Sequence, residues 1–145
     1  MTNKRFKKWK PPEIKEGIIN KYNWLVQNTD NFKLGYKTDI GAFTYINAKN
    51  GVRIDDFVQI GSHCSIYSIS TIDNKEGPVI LQKNCRIGSH SIIMPNVTIG
   101  KNSIIGAFSF VNRDIPDNVI ALSVPIKIKR ELTIEEIKKL EEDIK

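Results

Sequence analysis

The chain has 145 residues, which suits a single compact domain. Lysine and arginine number 22 against 16 acidic residues, so the formal net charge is +6, and the 40% apolar fraction is typical of a folded chain and excludes wholesale disorder. No apolar run approaches the roughly 18 residues that span a bilayer, and the basic first ten residues lack the apolar core of a signal peptide. Two cysteines are too few for a disulfide framework. We therefore expect a reduced, cytoplasmic protein without stable membrane insertion.

Residues 1–33 are predicted to form an N-terminal arm and cap. The arm is basic between residues 4 and 10, with Phe6 and Trp9 interleaved, and we interpret it as a solvated arm without a nucleic-acid partner. Binding to nucleic acid or to an anionic membrane is the alternative. Residues 13–25, which follow Pro12, favour a short helix interrupted by Gly17.

An aliphatic residue recurs at six-residue steps through residues 34–130, and this repeat defines the main domain. Neither a helix nor a lone amphipathic strand has this period. It matches a parallel β-helix, in which three six-residue units close a triangular coil and successive coils stack about 4.8 Å apart. Stacking buries a column of apolar side chains that no single coil could bury. The predicted inward positions are Leu34, Ile40, Ile46, Ile54, Ile60, Ile66, Leu81, Ile87, Ile93, Ile99, Ile105 and Val111.

Two further segments follow from local sequence. Residues 72–80 interrupt the repeat and have the composition of an exposed turn, which is either a functional loop or a tolerated surface insertion. Residues 131–145 are predicted to form a C-terminal helix, because Thr133 and Glu136 have capping-box spacing and apolar residues such as Leu140 follow at helical spacing. This helix and the N-terminal one would cap the open ends of the coil stack.

One edge of the predicted prism differs from the other two. The residue after the inward aliphatic is glycine in four successive coils there, followed by a small residue and then by an aromatic or imidazole ring. Glycine weakens a strand unless a backbone or a ligand approaches closely. A narrow ligand lying along the solenoid axis explains the pattern, and turn geometry is the alternative. The three columns are Gly41, Gly61, Gly88 and Gly106; Ala42, Ser62, Ser89 and Ala107; and Phe43, His63, His90 and Phe108.

The segments IGSHSIIMPNVTIG at residues 87–100 and NSIIGA at 102–107 resemble the hexapeptide-repeat acyltransferases, and the galactoside and maltose acetyltransferase branch in particular. VNRDIP at 111–116 and VPIKIKR at 124–130 are similar to the closing segments of that branch. Together with the repeat, the resemblance implies an all-β protein: a left-handed parallel β-helix of about five coils with short terminal helices. It also implies a homotrimer that binds acetyl-CoA, as acyl donor, in the groove between adjacent subunits.

The resemblance also assigns residues to the coenzyme. Ser89 and Ala107 fall on positions whose backbone contacts the pantetheine arm in that branch, and both belong to the small-residue column. Polar and basic residues match positions near the nucleotide end of the coenzyme, where arginine and lysine suit phosphate groups. These residues are Asn112, Arg113, Lys127 and Arg130. Phe108 departs from the family pattern, in which glycine is usual at this position.

Acetyl transfer needs a base for the acceptor and donors for the oxyanion. In the resembled branch the base is a histidine on the loop that corresponds to residues 72–78, and this sequence has no histidine there. His63, one coil from Ser89, is the candidate replacement, because a neutral imidazole suits the task near pH 7. Asn47 aligns with an asparagine that contacts the acceptor. The alternative is that the two histidines only cap stacked turns.

The missing loop histidine favours an amine acceptor, since a neutral amine attacks without prior deprotonation. The missing histidine therefore favours N-acetylation, and the resemblance implies that the acceptor is a nucleotide-linked amino sugar of surface-polysaccharide synthesis. Candidate acceptor contacts are Asp39, Asp73 and His90. A sugar O-acetyltransferase and a non-catalytic solenoid scaffold are the alternatives.

No metal site is expected. Two histidines cannot supply the three ligands of a zinc-dependent carbonic anhydrase with this type of fold. Cys64 and Cys85 fall on inward corner positions, where small apolar residues are wanted, so we expect them to be structural.

Overall fold

The computed structural model describes residues 6–145 as a parallel β-solenoid of about five turns with three flat faces. Each turn contributes one short strand to each face, and strands of successive turns pair in parallel register. The first face contains β1 (Leu25–Gln27), β4 (Tyr45–Asn47), β7 (Ser65–Tyr67), β12 (Ile92–Ile93) and β15 (Phe110–Val111). The second contains β2 (Phe32–Leu34), β5 (Val52–Ile54), β10 (Val79–Leu81) and β13 (Thr98–Ile99). The third contains β3 (Asp39–Ile40), β6 (Gln59–Ile60), β11 (Arg86–Ile87), β14 (Ile104–Ile105) and β16 (Val119–Leu122), with the antiparallel β17 (Lys127–Glu131) at its end.

The core confirms the six-residue repeat. Every aliphatic residue predicted to point inward is buried except Leu34, which is only half-buried. Leu34 lies in β2, the terminal strand of the second face, and no further coil covers it from below. The repeat therefore predicts the interior correctly because each coil supplies the apolar surface that its neighbour covers.

The glycine column has a different cause from the one predicted. A Cβ atom placed on Gly41, Gly61 or Gly88 would lie 2.4–2.5 Å from a backbone nitrogen of the next coil. Backbone atoms cannot withdraw from such a clash, so only glycine fits between coils at this edge. The close approach comes from the chain itself, and the prediction that a ligand explains the glycines is wrong.

The N-terminal end also differs from prediction. Residues 13–24 form turns rather than a helix, with an isolated bridge between Lys15 and Ile18, and α1 (Ile134–Glu142) is the one α-helix of the described chain. Gly17 and Asn23 both have a φ of +64°, a left-handed conformation that interrupts a right-handed helix at each position. The Gly17 amide instead donates to the carbonyl of Val26 at 2.8 Å. The β-helix begins at Leu25, whose strand pairs with β4, so residues 25–33 are part of the solenoid and not of the cap.

The C-terminal helix confirms the sequence prediction. Thr133 accepts from the Glu136 amide through its hydroxyl, and the Glu136 carboxylate accepts from the Thr133 amide, both at 3.1 Å. The helix packs on an asparagine ladder, defined by Asn84, Asn102 and Asn118, at one corner of the solenoid. Asn84 Nδ2 donates to Asn102 Oδ1 at 2.9 Å and to the Leu140 carbonyl at 3.3 Å.

The interruption at residues 72–80 belongs to a small antiparallel hairpin that leaves the solenoid after the first face. It is formed by β8 (Ile69–Ser70) and β9 (Lys75–Glu76), and Ile72 at its turn is almost fully exposed. Among residues 6–145, no helix is long and apolar enough to cross a membrane. Lys4 and Arg5 of the basic arm lie outside the described residues.

Candidate functional site

Four rings stack on one corner of the solenoid, between the third and first faces. We call Phe43, His63, His90 and Phe108 the ring column. The two imidazoles are parallel, with centroids 4.7 Å apart and an interplanar angle of 4°. Phe43 lies 5.1 Å from His63 and Phe108 lies 4.9 Å from His90, so each coil adds one ring at about the interstrand spacing. All four side chains are exposed, which leaves the imidazole nitrogens accessible to a ligand.

Backbone geometry holds these rings in place. The four residues have φ values between 58° and 64°, a left-handed conformation that is uncommon for residues with a side chain. Their amides donate to carbonyls in the coil below: His63 to Ala42 at 2.9 Å, and His90 to Ser62 at 3.0 Å. The small-residue column and the ring column are therefore linked rung by rung, and we call the strip of small residues beside the rings the channel.

Ser89, Ala107 and Lys127, all predicted to contact the coenzyme, lie at the upper part of this corner. Ser89 and Ala107 belong to the small-residue column beside His90 and Phe108, and the Ser89 carbonyl accepts from the Phe108 amide at 3.0 Å. Lys127 begins β17 and pairs with Leu122, and it is Leu122 that covers Gly106. The structure thus places His63, His90, Ser89 and Ala107 on one corner, and Lys127 begins the strand at the upper end of the third face.

A second group lies at the opposite edge of the first face. Asn47 ends the three-residue strand β4 and pairs with Tyr67, whereas Phe43 of the ring column lies at the turn before that strand. The four-residue step from Phe43 to Asn47 therefore spans at most about 13 Å. Asn112 and Arg113 follow β15 at the same far edge and are exposed. Within one chain, the structure does not bring these three residues to the histidines.

Asn47 is held by its neighbours. Its Oδ1 accepts from Asn28 Nδ2 at 3.0 Å and from the Lys49 amide at 3.1 Å, while its Nδ2 donates to the Tyr45 hydroxyl at 3.3 Å. The Tyr45 hydroxyl in turn donates to Gln27. The amide group of Asn47 is therefore pre-oriented by a polar network that sequence reasoning did not foresee.

Arg130, predicted to contact the coenzyme, is paired within the chain. Its guanidinium makes a bidentate pair with Glu136, at 2.7 and 3.1 Å, and also donates to the Glu131 carbonyl. Hydrogen bonds from Arg130 and from the Thr133 amide lower the pKa of Glu136 to about 2, and the carboxylate raises the pKa of Arg130. This arginine thus links β17 to the first turn of the C-terminal helix.

The two predicted acidic acceptor contacts lie far apart. Asp39 lies in β3, at the first coil, on the wall of a cavity of about 290 Å³. Asp73 lies on the hairpin, where its carboxylate is 3.4 Å from the Lys75 ammonium, and hydrogen bonding to Ser70 lowers its pKa. Asp73 shares the far edge of the first face with Asn47, and Asp39 lies at the base of the solenoid.

The cavity at the base was missed by sequence reasoning. Trp9, Tyr22 and Trp24 contribute to its walls, and Trp24 is buried. The sequence contains two tryptophans, both in its first 24 residues. Their clustering in a segment without the repeat is the signal from which the cavity could have been predicted.

Both cysteines are structural, as expected. Cys64 and Cys85 are buried and free, and burial raises the pKa of each thiol, which disfavours the nucleophilic thiolate. Among residues 6–145, no group of three or more histidine, cysteine or acidic side chains is arranged to hold a metal ion.

Comparison with known proteins gives results consistent with this geometry. The family described as "Bacterial transferase hexapeptide (six repeats)" matches residues 78–113. The galactoside O-acetyltransferase of Escherichia coli is 38% identical over 117 residues, which is 70% of this chain and 57% of that enzyme. The chain thus spans little more than half the length of that relative.

Two solved structures share the fold. One is AntD, an N-acyltransferase from Bacillus cereus in complex with dTDP and 3-hydroxybutyryl-CoA, with a TM-score of 0.67, 29% identity, and coverage of 84% of this chain and 70% of AntD. The other is a hexapeptide-repeat acetyltransferase from Vibrio cholerae complexed with acetyl-CoA, with a TM-score of 0.72, 25% identity, and coverage of 76% of this chain and 65% of that one. The chain therefore carries the bacterial transferase hexapeptide repeat, and the predicted resemblance to the hexapeptide-repeat acyltransferases is confirmed.

Proposed function

We propose that this chain is an acetyl-CoA-dependent acyltransferase that acetylates the amine of a nucleotide-linked amino sugar for surface-polysaccharide synthesis. The observation that carries the proposal is the pair of exposed imidazoles, His63 and His90, beside a column of small residues on a hexapeptide solenoid. Solved relatives with this fold bind acetyl-CoA or an acyl-CoA, and the AntD complex contains both an acyl-CoA and dTDP. Acetyl-CoA is a cytoplasmic metabolite, so that compartment is part of the proposal.

The channel beside the ring column suits an extended pantetheine arm. The arm would lie against the backbone of Ala107 and Ser89, with the thioester one coil below, near Ser62 and His63. Lys127 at the upper end of the corner would face the phosphates, because an ammonium group matches their charge. Phe108 narrows this path on the outer side and is 67% exposed, so its ring offers a wall for the arm.

The transfer step is an attack of the acceptor amine on the thioester carbonyl. The nitrogen–carbon bond forms, the carbon–sulfur bond breaks, and coenzyme A leaves as the thiolate. His63 takes the proton that the nitrogen loses and can return it to the departing sulfur, so charge and protons balance. An imidazole accepts the proton as a general base, and the imidazolium so formed donates it as a general acid.

The separation of two residue groups supports a trimer. Asn47, Asn112 and Arg113 lie across the first face from His63, at most about 13 Å away along the strand direction. They join the histidines only if a neighbouring copy presents its far edge to the ring column. A homotrimer with three equivalent junctions meets this requirement, with His90 and Asp73 as further acceptor contacts and Asn47 stabilising the developing charge.

Calorimetry with acetyl-CoA followed by a thiol-release assay tests the proposal. We expect saturable binding and release of coenzyme A on addition of a nucleotide-linked amino sugar. Absence of binding at millimolar coenzyme would contradict the proposal and favour a non-catalytic scaffold. Ser89→Trp is the test variant. Its indole would fill the channel beside His90 and should abolish binding without disturbing the core.

Sugar O-acetylation is the second candidate function. It is favoured by the 38% identity to a galactoside O-acetyltransferase. A galactoside and the corresponding amino sugar, compared in the same assay, separate the two. Higher turnover with the galactoside would replace N-acetylation by O-acetylation.

A further inference from the structure

The cavity at the base of the solenoid has four aromatic side chains among its nine described lining residues. It has a volume of about 290 Å³, close to the lower limit for small-molecule sites in proteins. Trp9 is pinned by a hydrogen bond of 2.8 Å from its indole nitrogen to the Thr38 carbonyl. Trp24 is buried and packs edge-on against Phe32, at 6.4 Å. The indole of Trp9, an edge of the buried Trp24 and the half-exposed ring of Tyr22 thus all line this cavity.

A tight turn holds Tyr22 at the mouth of this cavity. Asn20 Oδ1 accepts from the amides of Tyr22 at 2.9 Å and Trp24 at 3.4 Å, and Asn23 has a φ of +64°. The Asn23 carbonyl accepts from the Phe43 amide at 2.6 Å. The turn is therefore bonded directly to the lowest member of the ring column.

The register makes Tyr22 the base of the channel. Leu25 lies opposite Tyr45, so Tyr22 is the counterpart of Ala42 in the coil below. The small-residue column thus runs down the corner and ends on a tyrosine ring that also lines the cavity. The Tyr22 rung lies two rungs below Ser62 and His63, about 10 Å at the interstrand spacing.

We propose that this cavity binds the nucleobase of the nucleotide-linked acceptor, which rests on the proposed function. Aromatic side chains stack on the face of any nucleobase, whichever polar groups the edge of that base carries. Among the described wall residues, Asp39 is acidic, and the exposed Lys8 carries the charge that suits the adjoining diphosphate. The sugar then extends up the channel, and its amine reaches His63 about 10 Å away.

The tryptophans make a direct test possible. The sequence contains only Trp9 and Trp24, and both line the cavity, so intrinsic tryptophan fluorescence reports its occupancy without a label. The probes are uridine and thymidine diphosphates, inorganic pyrophosphate and a free monosaccharide, with excitation at the red edge of the indole band, where bases do not absorb. We expect a saturable change with the nucleoside diphosphates only. An equal response to pyrophosphate, a response to the monosaccharide alone, or no response would each overturn the inference.

Matched tyrosine variants locate the effect. Tyr22→Ala should weaken nucleoside diphosphate binding about tenfold, because one stacking surface is lost, whereas Tyr22→Phe should bind nearly as wild type. Tyr36→Ala is the control, since Tyr36 has the same 49% exposure at a different corner. Equal affinity of Tyr22→Ala and Tyr36→Ala would contradict the assignment.

The outcomes separate this inference from the proposed function. If acetyl transfer to a nucleotide-linked amino sugar occurs and Tyr22→Ala leaves its KM unchanged, the cavity assignment fails and the transferase remains. If nucleoside diphosphates change the fluorescence but no acetyl transfer is found with any sugar, the cavity assignment stands and the proposed reaction fails.

Discussion

His63 and His90 stack face to face at 4.7 Å, one coil apart, at the same corner of the solenoid. Both have a left-handed backbone and both amides donate to the small-residue column of the coil below. They differ in their neighbours, because His63 touches Phe43 and His90 touches Phe108. Their equivalence in structure makes each the natural control for the other in function.

His63→Phe should remove the proposed base and keep the stack, since phenylalanine already occupies two positions of the ring column. We expect kcat/KM for acetyl transfer to fall about a hundredfold or more, the usual contribution of a general base. His90→Phe is the matched control and should lose much less. Steady-state kinetics of thiol release measure both, and full turnover by His63→Phe would show that the substrate amine needs no protein base.

Gly88→Ala tests the steric origin of the glycine column. The added Cβ would lie 2.4 Å from the Ala107 amide nitrogen, so we expect the free energy of unfolding to fall by about 1–3 kcal/mol or more. Ser89→Ala, one residue later, is the control and should unfold nearly as wild type. Urea denaturation provides the comparison; a variant as stable as wild type that binds coenzyme less tightly would instead restore the ligand explanation.

Asn84→Ala should loosen the C-terminal helix. The Asn84 side chain is fully buried and bonds both Asn102 and the Leu140 carbonyl, so its removal leaves buried polar groups unpaired at about 1–3 kcal/mol. Asn74→Ala is the control, because Asn74 also has positive φ but lies on the exposed hairpin. Limited proteolysis should release the helix from the Asn84 variant first; equal cleavage in both variants would refute the ladder's role.

The pair between Arg130 and Glu136 predicts a pH dependence. The folded pKa of Glu136, about 2, lies below its ordinary value of 4.5, so its contribution to stability is fully present above about pH 5 and is lost as the pH falls towards 2. Glu136→Gln should therefore melt at a lower temperature than wild type at neutral pH and at the same temperature near pH 2. Thermal melts followed by circular dichroism measure this; a difference that does not change with pH would rule out the ion pair as its cause.

The trimer is tested by sedimentation equilibrium. We expect a mass of three chains, because the proposed site needs Asn47 and Arg113 of one copy beside His63 of the next. A mass of one chain would leave the two groups at opposite edges of the first face and would remove Asn47 from the proposed chemistry.

The sequence alone determined the solenoid, its core and its C-terminal cap. A six-residue period has one structural solution, and each aliphatic from Ile40 to Val111 is buried because its own local unit places it inward. The capping box of Thr133 and Glu136 is equally local, since both partners lie within one helical turn. Patterns of this kind depend on neighbours in sequence, which is why they can be read without coordinates.

Contacts between residues distant in sequence determine what the side chains at the corners do. The cause of the glycine column is the backbone of the next coil, Arg130 is held by Glu136, and residues 13–24 form turns that bond to β1 and to Phe43 instead of a helix. Each of these outcomes depends on contacts between residues that are distant in sequence or on competition between partners. The site is therefore decided by stacking, because the same residue types at the same spacing acquire different partners once the coils are superposed.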